Sequence, residues 1–375
     1  MIRVLQVVGK MNFGGAETRL LEIARRIDLS KIHFDFCVFD DEAGDYDDQI
    51  RRIGCGIVRC KLTKNVFGFS KRFHKVLQQG SYDVVHCHIY QFSGLPLRIA
   101  AKEKVPMRIM HLRTIPGFER NILKRLFYDK LMQRWMERYA TNIVGISQIA
   151  MVANMGAHWE SDPRTRIIYN AIDTQPYSQV PDRAGTLAEF GIPESARVVI
   201  HVGNFRPAKD HRTLIKAAGM MISQNKDVHF LLVGSGTLMS EIRELVLVRG
   251  FEKNVHFAGA RDDVPQLLMS SDCFMFPSRW EGLGGAVLEA LAAGLPVVAS
   301  DIAAMREIAS ESDRVHLVGI GDSEGFARKG EEILADLEDY KTEPGRIPER
   351  FSLDACICNF LALYGGEGSD GRGDK

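Results

Sequence analysis

Two clusters in the second half of the chain carry residue types that can do chemistry. The first is Gly203-Asn204-Phe205-Arg206-Pro207-Ala208-Lys209-Asp210-His211, which follows an apolar, strand-like run at 198–202 and leads into a helical pattern from about Lys209. In a doubly wound domain this places Arg206 and Lys209 at the carboxyl edge of the sheet, where ligands bind. Two cations beside helix N-terminal amides can balance a diphosphate without a metal ion. An isolated R-x-x-K can equally be a pair of solvated surface cations. The second cluster, Pro277-Ser278-Arg279-Trp280-Glu281-Gly282-Leu283-Gly284-Gly285-Ala286-Val287-Leu288-Glu289-Ala290, also lies between a strand-like run (273–276) and a helix. Helical side chains lean toward the helix N-terminus, so Glu289 in the second turn can reach the same cleft mouth as the loop residue Glu281. Gly282, Gly284 and Gly285 let a ligand approach the backbone and meet free amides. Glu289 sits among Leu288, Ala290 and Leu291, where an unpaired carboxylate is costly, so it calls for a ligand or a basic partner.

Other candidates are weaker. His86 and His88 end a strand-like run as H-x-H, which could bind metal, but no third ligand is evident. Asp45-Tyr46-Asp47 reads as a solvated loop after the run at 36–39. Gly234-Ser235-Gly236 lacks the full dinucleotide fingerprint, so a nicotinamide cofactor is not expected.

The elements that must position these residues alternate from end to end. Strand-like runs at 4–8, 34–39, 56–58, 84–87, 108–112, 142–146 and 167–169 are separated by helical patterns such as 16–27 and 98–104. The rhythm lapses between about 170 and 193, around Pro176, Pro181 and Pro193, and restarts with runs at 198–202, 228–233, 255–257, 273–276, 297–299 and 315–318. This is the pattern of βα units around parallel sheets, and its restart predicts an α/β chain of two doubly wound, Rossmann-like domains facing a central cleft. The expected organisation is an N-terminal domain over 1–175, a linker over 176–194, a C-terminal domain over 195–350, a helix over 351–364 and a flexible tail over 365–375. The helix at 353–364 could pack on either domain, and Arg372-Gly373-Asp374 in the Gly-rich tail reads as chance.

Composition agrees. The 375 residues are long enough for two cores, and 48 basic against 48 acidic side chains leave no global field to recruit nucleic acid. Seven cysteines without C-x-x-C spacing argue against a disulfide framework or zinc site and suit reduced cytoplasmic thiols. The apolar stretch 282–299 contains Glu289 and Pro296, so no membrane span is expected.

With these motifs, the chain resembles family 4 of the retaining glycosyltransferases, which have the GT-B fold, and is most similar to bacterial exopolysaccharide and capsule-type enzymes. The resemblance rests on Gly203 with Arg206 and Lys209, on Glu281 and Glu289 eight positions apart, on Gly294-Leu295-Pro296-Val297-Val298-Ala299, and on Asn12-Phe13-Gly14-Gly15-Ala16-Glu17-Thr18. It implies that Arg206 and Lys209 hold the donor diphosphate and that Glu289 binds the ribose hydroxyls. It also implies that Glu281 meets donor-sugar hydroxyls, with the amides of Gly282, Leu283 and Gly284 close by. Gly14-Gly15, which by itself could be only a tight βα turn, resembles the loop that faces the donor phosphate and acceptor. His111 best matches a histidine near the transferring sugar, although a lone histidine after a strand can also be structural. Two departures are visible. Gly285 stands where relatives have a bulky residue, and Arg113 stands where they often have another histidine.

The implied function is metal-independent, cofactor-free transfer of a sugar from a nucleotide diphosphate to a glycan or lipid-linked acceptor with retention, in cell-surface polysaccharide biosynthesis. An epimerase or phosphorylase on the same architecture, or a non-catalytic sugar-nucleotide-binding protein, stays open. Residues 121–139 interleave Lys124, Arg125, Lys130, Arg134 and Arg138 with apolar side chains. Such a helix could rest on an anionic membrane, or pack on a core with a solvated basic face. Localisation is expected to be cytoplasmic, with peripheral contact at the inner membrane face as the extension.

Overall fold

A computed structural model describes residues 1–12, 14–115, 124–340 and 342–365. The chain divides into two compact units, Met1–Ala171 together with the segment from Leu353, and Ile172–Ser352. The first unit carries β1 (Ile2–Val7), β2 (Ile32–Val38), β3 (Gly56–Arg59), β4 (Val84–Cys87), β5 (Met107–Leu112), β6 (Asn142–Gly145) and β7 (Thr165–Ile167). They form a sheet in the order β3-β2-β1-β4-β5-β6-β7, with every pair parallel. The second unit carries β8 (Arg197–Val202), β9 (Val228–Val233), β10 (Val255–Gly259), β11 (Cys273–Phe276), β12 (Val297–Ser300) and β13 (Val315–Val318). Their order is β10-β9-β8-β11-β12-β13, again all parallel. Both orders reverse direction once, between β1 and β4 and between β8 and β11. These are the switch points where doubly wound sheets bind ligands.

The strands form because they can be covered on both faces. All six residues of β9 and all four of β11 are buried, as expected for parallel strands sandwiched by helices. In the first sheet alternation splits the core in two. Val4, Phe34, Phe36, Val84, Ile109 and Val144 face one cluster, and Leu5, Cys37, Val85, Met110 and Ile143 face the other. Helices Gly15–Arg26 and Leu353–Gly365 cover the first face. Helices Val66–Gly80, Gly94–Lys102 and Lys130–Tyr139 cover the second. The C-terminal helix, which the sequence allowed on either domain, thus closes the first unit through Leu353, Cys356, Phe360 and Leu363.

The stretch expected to link the domains is built into the second unit. It contains a turn, Gln175–Ser178, and a helix, Arg183–Ala188. Arg183 donates to the carbonyls of Ser270 and Ala196 at 2.6 and 2.7 Å and pairs with Asp272 at 2.9 Å. Asp272 is 3% exposed and also accepts the Val198 amide at 2.8 Å, so one buried carboxylate ties this helix to the head of β8. Asp47 corrects the reading of its motif as a solvated loop: it is buried, opens helix Asp47–Arg52 and pairs with Arg59 at 2.7 Å. None of the seven cysteines forms a disulfide. Residues 121–123 of the basic stretch, Phe13, and the Arg372-Gly373-Asp374 tail lie outside the described residues.

Replacing Arg183 with alanine leaves Asp272 buried without its cation, which costs about 3 kcal/mol. Urea denaturation of the full chain should show that loss in the transition of the second unit, with tryptophan fluorescence as readout.

Candidate functional site

The site of the second unit is built where the loops leaving β8 and β11 meet. The two strands are hydrogen-bonded neighbours, Cys273 opposite Val199 and Phe274 opposite Ile200, so their following loops lie side by side. The Arg279 amide donates to the Ala208 carbonyl at 2.8 Å, and the Arg279 guanidinium donates to Asp210 at 3.0 Å. Lys209 Nζ then lies 2.6 Å from Glu281 Oε1 and 4.3 Å from the centre of the Phe276 ring. Both partners are largely shielded, at 18% and 15% side-chain exposure. An ammonium has three donors, so this pairing leaves Lys209 with capacity for a second anion. Arg206 is exposed on the same loop.

Local chemistry explains why these loops take this path. Pro207 opens a single 3-10 turn, Pro207–Lys209. Asp210 then adopts the left-handed conformation (φ +43) and caps helix His211–Gln224 by accepting from the Thr213 backbone amide at 3.4 Å, while its other oxygen accepts from the Thr213 hydroxyl at 2.9 Å. The helix expected from about Lys209 therefore begins two residues later. Gly203 has no side chain because a Cβ would press against His201 Nε2 at 3.0 Å and the Lys209 stem at 3.2 Å. Gly284 is favoured by its φ of +94, and a Cβ, 2.4 Å from the Met305 methyl, would also make that flexible side chain move. It caps helix Gly285–Ala292, which carries Glu289, half-buried, in its second turn. Leu283 is buried, so its side chain anchors the loop and a ligand could meet it through the backbone only. A Cβ on Gly285 would touch nothing within 4 Å. Space is open where relatives are expected to have a bulky residue. Asp210 and Arg279 are the residues of this site that the sequence reading passed over, although the Asp-x-x-Thr cap signature was readable.

His201 and His211 back the loop. His201 Nδ1 lies 2.8 Å from the Met275 carbonyl and donates to it, and His211 stacks on Phe205 at 4.0 Å. Burial, followed by neighbouring His211, holds His201 well below the usual imidazole range, and burial with the Lys209 charge pushes His211 down to about 4.

In the first unit, Gly14 is the extended N-cap of helix Gly15–Arg26, and its backbone carbonyl accepts the Thr18 amide at 2.9 Å. His111 is buried on β5 and is not alone. Residues of even spacing on adjoining parallel strands share a face, so Gln6 on β1, His86 on β4 and His111 on β5 form a polar row under the C-terminal helix, continued by His88. Nitrogens of His86, His88 and His111 lie within 4.8 Å of one another. This corrects the reading of H-x-H as lacking a third ligand: strand register, which spacing does not reveal, supplies it. The ring nitrogens are already engaged, however, except one. His86 meets Tyr364 Oη at 2.7 Å and His111 Nδ1 at 3.0 Å. His88 meets Gln6 Oε1 at 2.8 Å and Arg113 Nε at 2.9 Å. Arg113 also donates to Asn170 at 3.0 Å. Burial first, then the Arg113 charge or the neighbouring rings, holds all three imidazoles well below their ordinary range, and burial draws Arg113 down to about 10, still charged at neutral pH. Gln6 and Tyr364 carried no signal of their own in the sequence.

Two parallel-sheet units of this topology form the GT-B fold. Family models agree over most of the chain: residues 13–176 match Glycosyltransferase Family 4, and residues 196–336 match Glycosyl transferases group 1. The chain belongs to glycosyltransferase family 4. It is similar to the capsular polysaccharide biosynthesis glycosyltransferase CapH of Staphylococcus aureus, 27% identical over 82% of this chain and 84% of the relative. It is also similar to the Escherichia coli UDP-Gal:alpha-D-GlcNAc-diphosphoundecaprenol alpha-1,3-galactosyltransferase, 28% identical over 68% and 66%. Among solved structures it resembles Anabaena Alr3699/HepE in complex with UDP, with a TM-score of 0.82, 21% identity, and 98% and 100% of the two chains covered.

Two outcomes test this geometry. Gly284→Ala should destabilise the second unit by about 1–3 kcal/mol through left-handed strain, read by chemical denaturation. The buried histidines make stability fall on acidification. Their folded pKa values lie below the unfolded value of 6.5, so stability is fully present above about pH 6.5 and is lost as the unfolded chain takes up protons that the folded rings refuse. Urea midpoints measured between about pH 7.5 and 5 should be level at the upper end and then decline.

Proposed function

We propose that the chain transfers a sugar from a nucleotide diphosphate to a glycan or lipid-linked acceptor, with retention at the anomeric carbon, in the assembly of a cell-surface polysaccharide. The observation that carries this reading is the 2.6 Å pairing of Lys209 with Glu281 at the switch point of the second sheet, beside exposed Arg206. A diphosphate needs cations at that edge, and a sugar held next to them needs an acceptor for its hydroxyls. Lys209 and Arg206 supply the first, and Glu281 the second. Glu289 takes the ribose hydroxyls, and the amides of Gly282, Leu283 and Gly284 add donors. Gly14-Gly15 and His111 serve the transferring sugar and acceptor from the first unit. The names of the relatives, a capsule glycosyltransferase and a galactosyltransferase acting on a diphosphoundecaprenol-linked sugar, support the polysaccharide and lipid-linked parts of the reading.

In this mechanism the anomeric C–O bond to the diphosphate breaks through an oxocarbenium-like transition state. Charge grows on the departing nucleoside diphosphate, and preorganised Arg206, Lys209 and backbone amides stabilise it. Side-chain cations take the part a metal ion plays elsewhere, so transfer is metal-independent and needs no cofactor. The acceptor proton passes to the leaving phosphate.

Peripheral membrane contact belongs to the same proposal. Phe127, Tyr128 and Leu131 are exposed next to exposed Lys130 and Arg134, while Met132 and Met136 of helix Lys130–Tyr139 are buried. One face of the segment is thus core and the other pairs apolar with basic groups, as a lipid surface requires.

Three measurements test the proposal. A thermal-shift screen with UDP-, GDP- and ADP-sugars should raise the melting temperature for one base, since a ligand of the folded state stabilises it. The double variant Arg206→Ala with Lys209→Ala should fold normally and lose at least about 100-fold in turnover; near-normal activity would refute the assignment. The chain should sediment with anionic vesicles at low salt and be released at high salt, and failure to bind at low salt ends the membrane reading.

A further inference from the structure

The polar row of the first unit has an order that a single residue imposes. Arg113 can only donate, and its Nε lies 2.9 Å from His88 Nδ1, which must therefore offer a lone pair. A neutral His88 then carries its proton on Nε2 and donates it to Gln6 Oε1 at 2.8 Å. With its oxygen so used, Gln6 turns its amide nitrogen to Tyr364 Oη at 3.1 Å and donates. The Tyr364 hydroxyl, its lone pair engaged, has its proton free for His86 Nδ1 at 2.7 Å. His86 then carries its own proton on Nε2 and donates to His111 Nδ1 at 3.0 Å. Only one tautomer remains for His111: its proton is on Nε2, which is buried and without a partner.

We propose that Arg113, through His88, Gln6, Tyr364 and His86, fixes His111 as the neutral Nε2–H tautomer, a hydrogen-bond donor that cannot serve as the base taking up the acceptor proton. Arg113 is then a positioning residue, and any oxygen that meets His111 Nε2 does so as an acceptor. The opposite order is physically poorer. If His86 Nδ1 donated to Tyr364, the phenolic proton of a side chain 4% exposed would have no acceptor, and His111 Nε2 would be left as a bare lone pair. The running order leaves a single group wanting, and it belongs to His111, a residue that lines a crevice with Arg113, Asn170 and Arg19.

The inference rests on the transferase reading only in naming the proton that His111 does not take. Its test needs no substrate. Nitrogen-15 spectra of the full, histidine-labelled chain near neutral pH should show each of His86, His88 and His111 with a pyrrole-like Nε2 and a pyridine-like Nδ1. Tyr364→Phe keeps the ring against Phe34 and Phe360 and removes only the hydroxyl. In that variant His86 and His111 should lose their single tautomer while His88, upstream, keeps its own. A His111 protonated on Nδ1, a charged ring, or an unchanged His86 and His111 in the variant would overturn the proposal. So would stoichiometric zinc that shifts all three rings, because a shared metal must take lone pairs now held by Arg113 and Tyr364. Should the Tyr364→Phe chain not fold, the spectrum of the unaltered protein decides alone. Loss of the transferase reading would leave these spectra as they are.

Discussion

Everything the second unit can do depends on one contact between neighbours, the parallel pairing of β8 with β11. Cys273 opposite Val199 and Phe274 opposite Ile200 fix the two strands in register, so their outgoing loops share one edge although 72 residues separate Lys209 from Glu281. The ion pair formed there is mostly withdrawn from water, which on its own is not a source of stability. Its cost is offset by the second strand end: Phe276 places a ring face under the ammonium, and Arg279 ties its loop to Ala208 and Asp210. The arrangement holds the Lys209 side chain in place between Glu281 and the Phe276 ring.

The first unit solves a different problem. A parallel sheet covered by helices favours apolar side chains on both faces, yet Gln6, His86 and His111 occupy positions where Val4, Val84 and Ile109 are their neighbours along the strands. Burying those groups is tolerable because every polar atom of the three except His111 Nε2 is paired, and Tyr364 of the C-terminal helix closes the chain of bonds. The helix Leu353–Gly365 therefore does more than cover apolar surface. It delivers a hydroxyl to the one point in the row where proton direction would otherwise be undecided.

How much of this was legible in the sequence follows from how far each interaction reaches along the chain. Strand cores such as Val228–Val233 and Cys273–Phe276 were readable to the residue, because short apolar runs between glycines and polar clusters are local signals. The positions of Arg206, Lys209, Glu281 and Glu289 on loops and a helix after strands were readable for the same reason. The Lys209–Glu281 contact itself needed the strand order, which βα alternation suggests without fixing. What stayed hidden is long-range and polar. Arg183 on Asp272 turns a proline-bearing stretch that looks like a linker into part of a domain, and Tyr364 on His86 spans 278 residues. Asp47 looked solvated because nothing near it in sequence shows that Arg59, on β3, returns to meet it.

The two departures from the family pattern then differ in physical meaning. Gly285 removes side-chain volume at the first turn of helix Gly285–Ala292, and a Cβ there would meet nothing within 4 Å. It changes room and not hydrogen bonding. Arg113 changes no comparable volume; it replaces an expected imidazole by a permanent donor beside His88. An imidazole in that place could give or accept a proton, and the row beyond it could run either way. A guanidinium cannot accept, so direction becomes a property of the sequence, and the last histidine of the row inherits it.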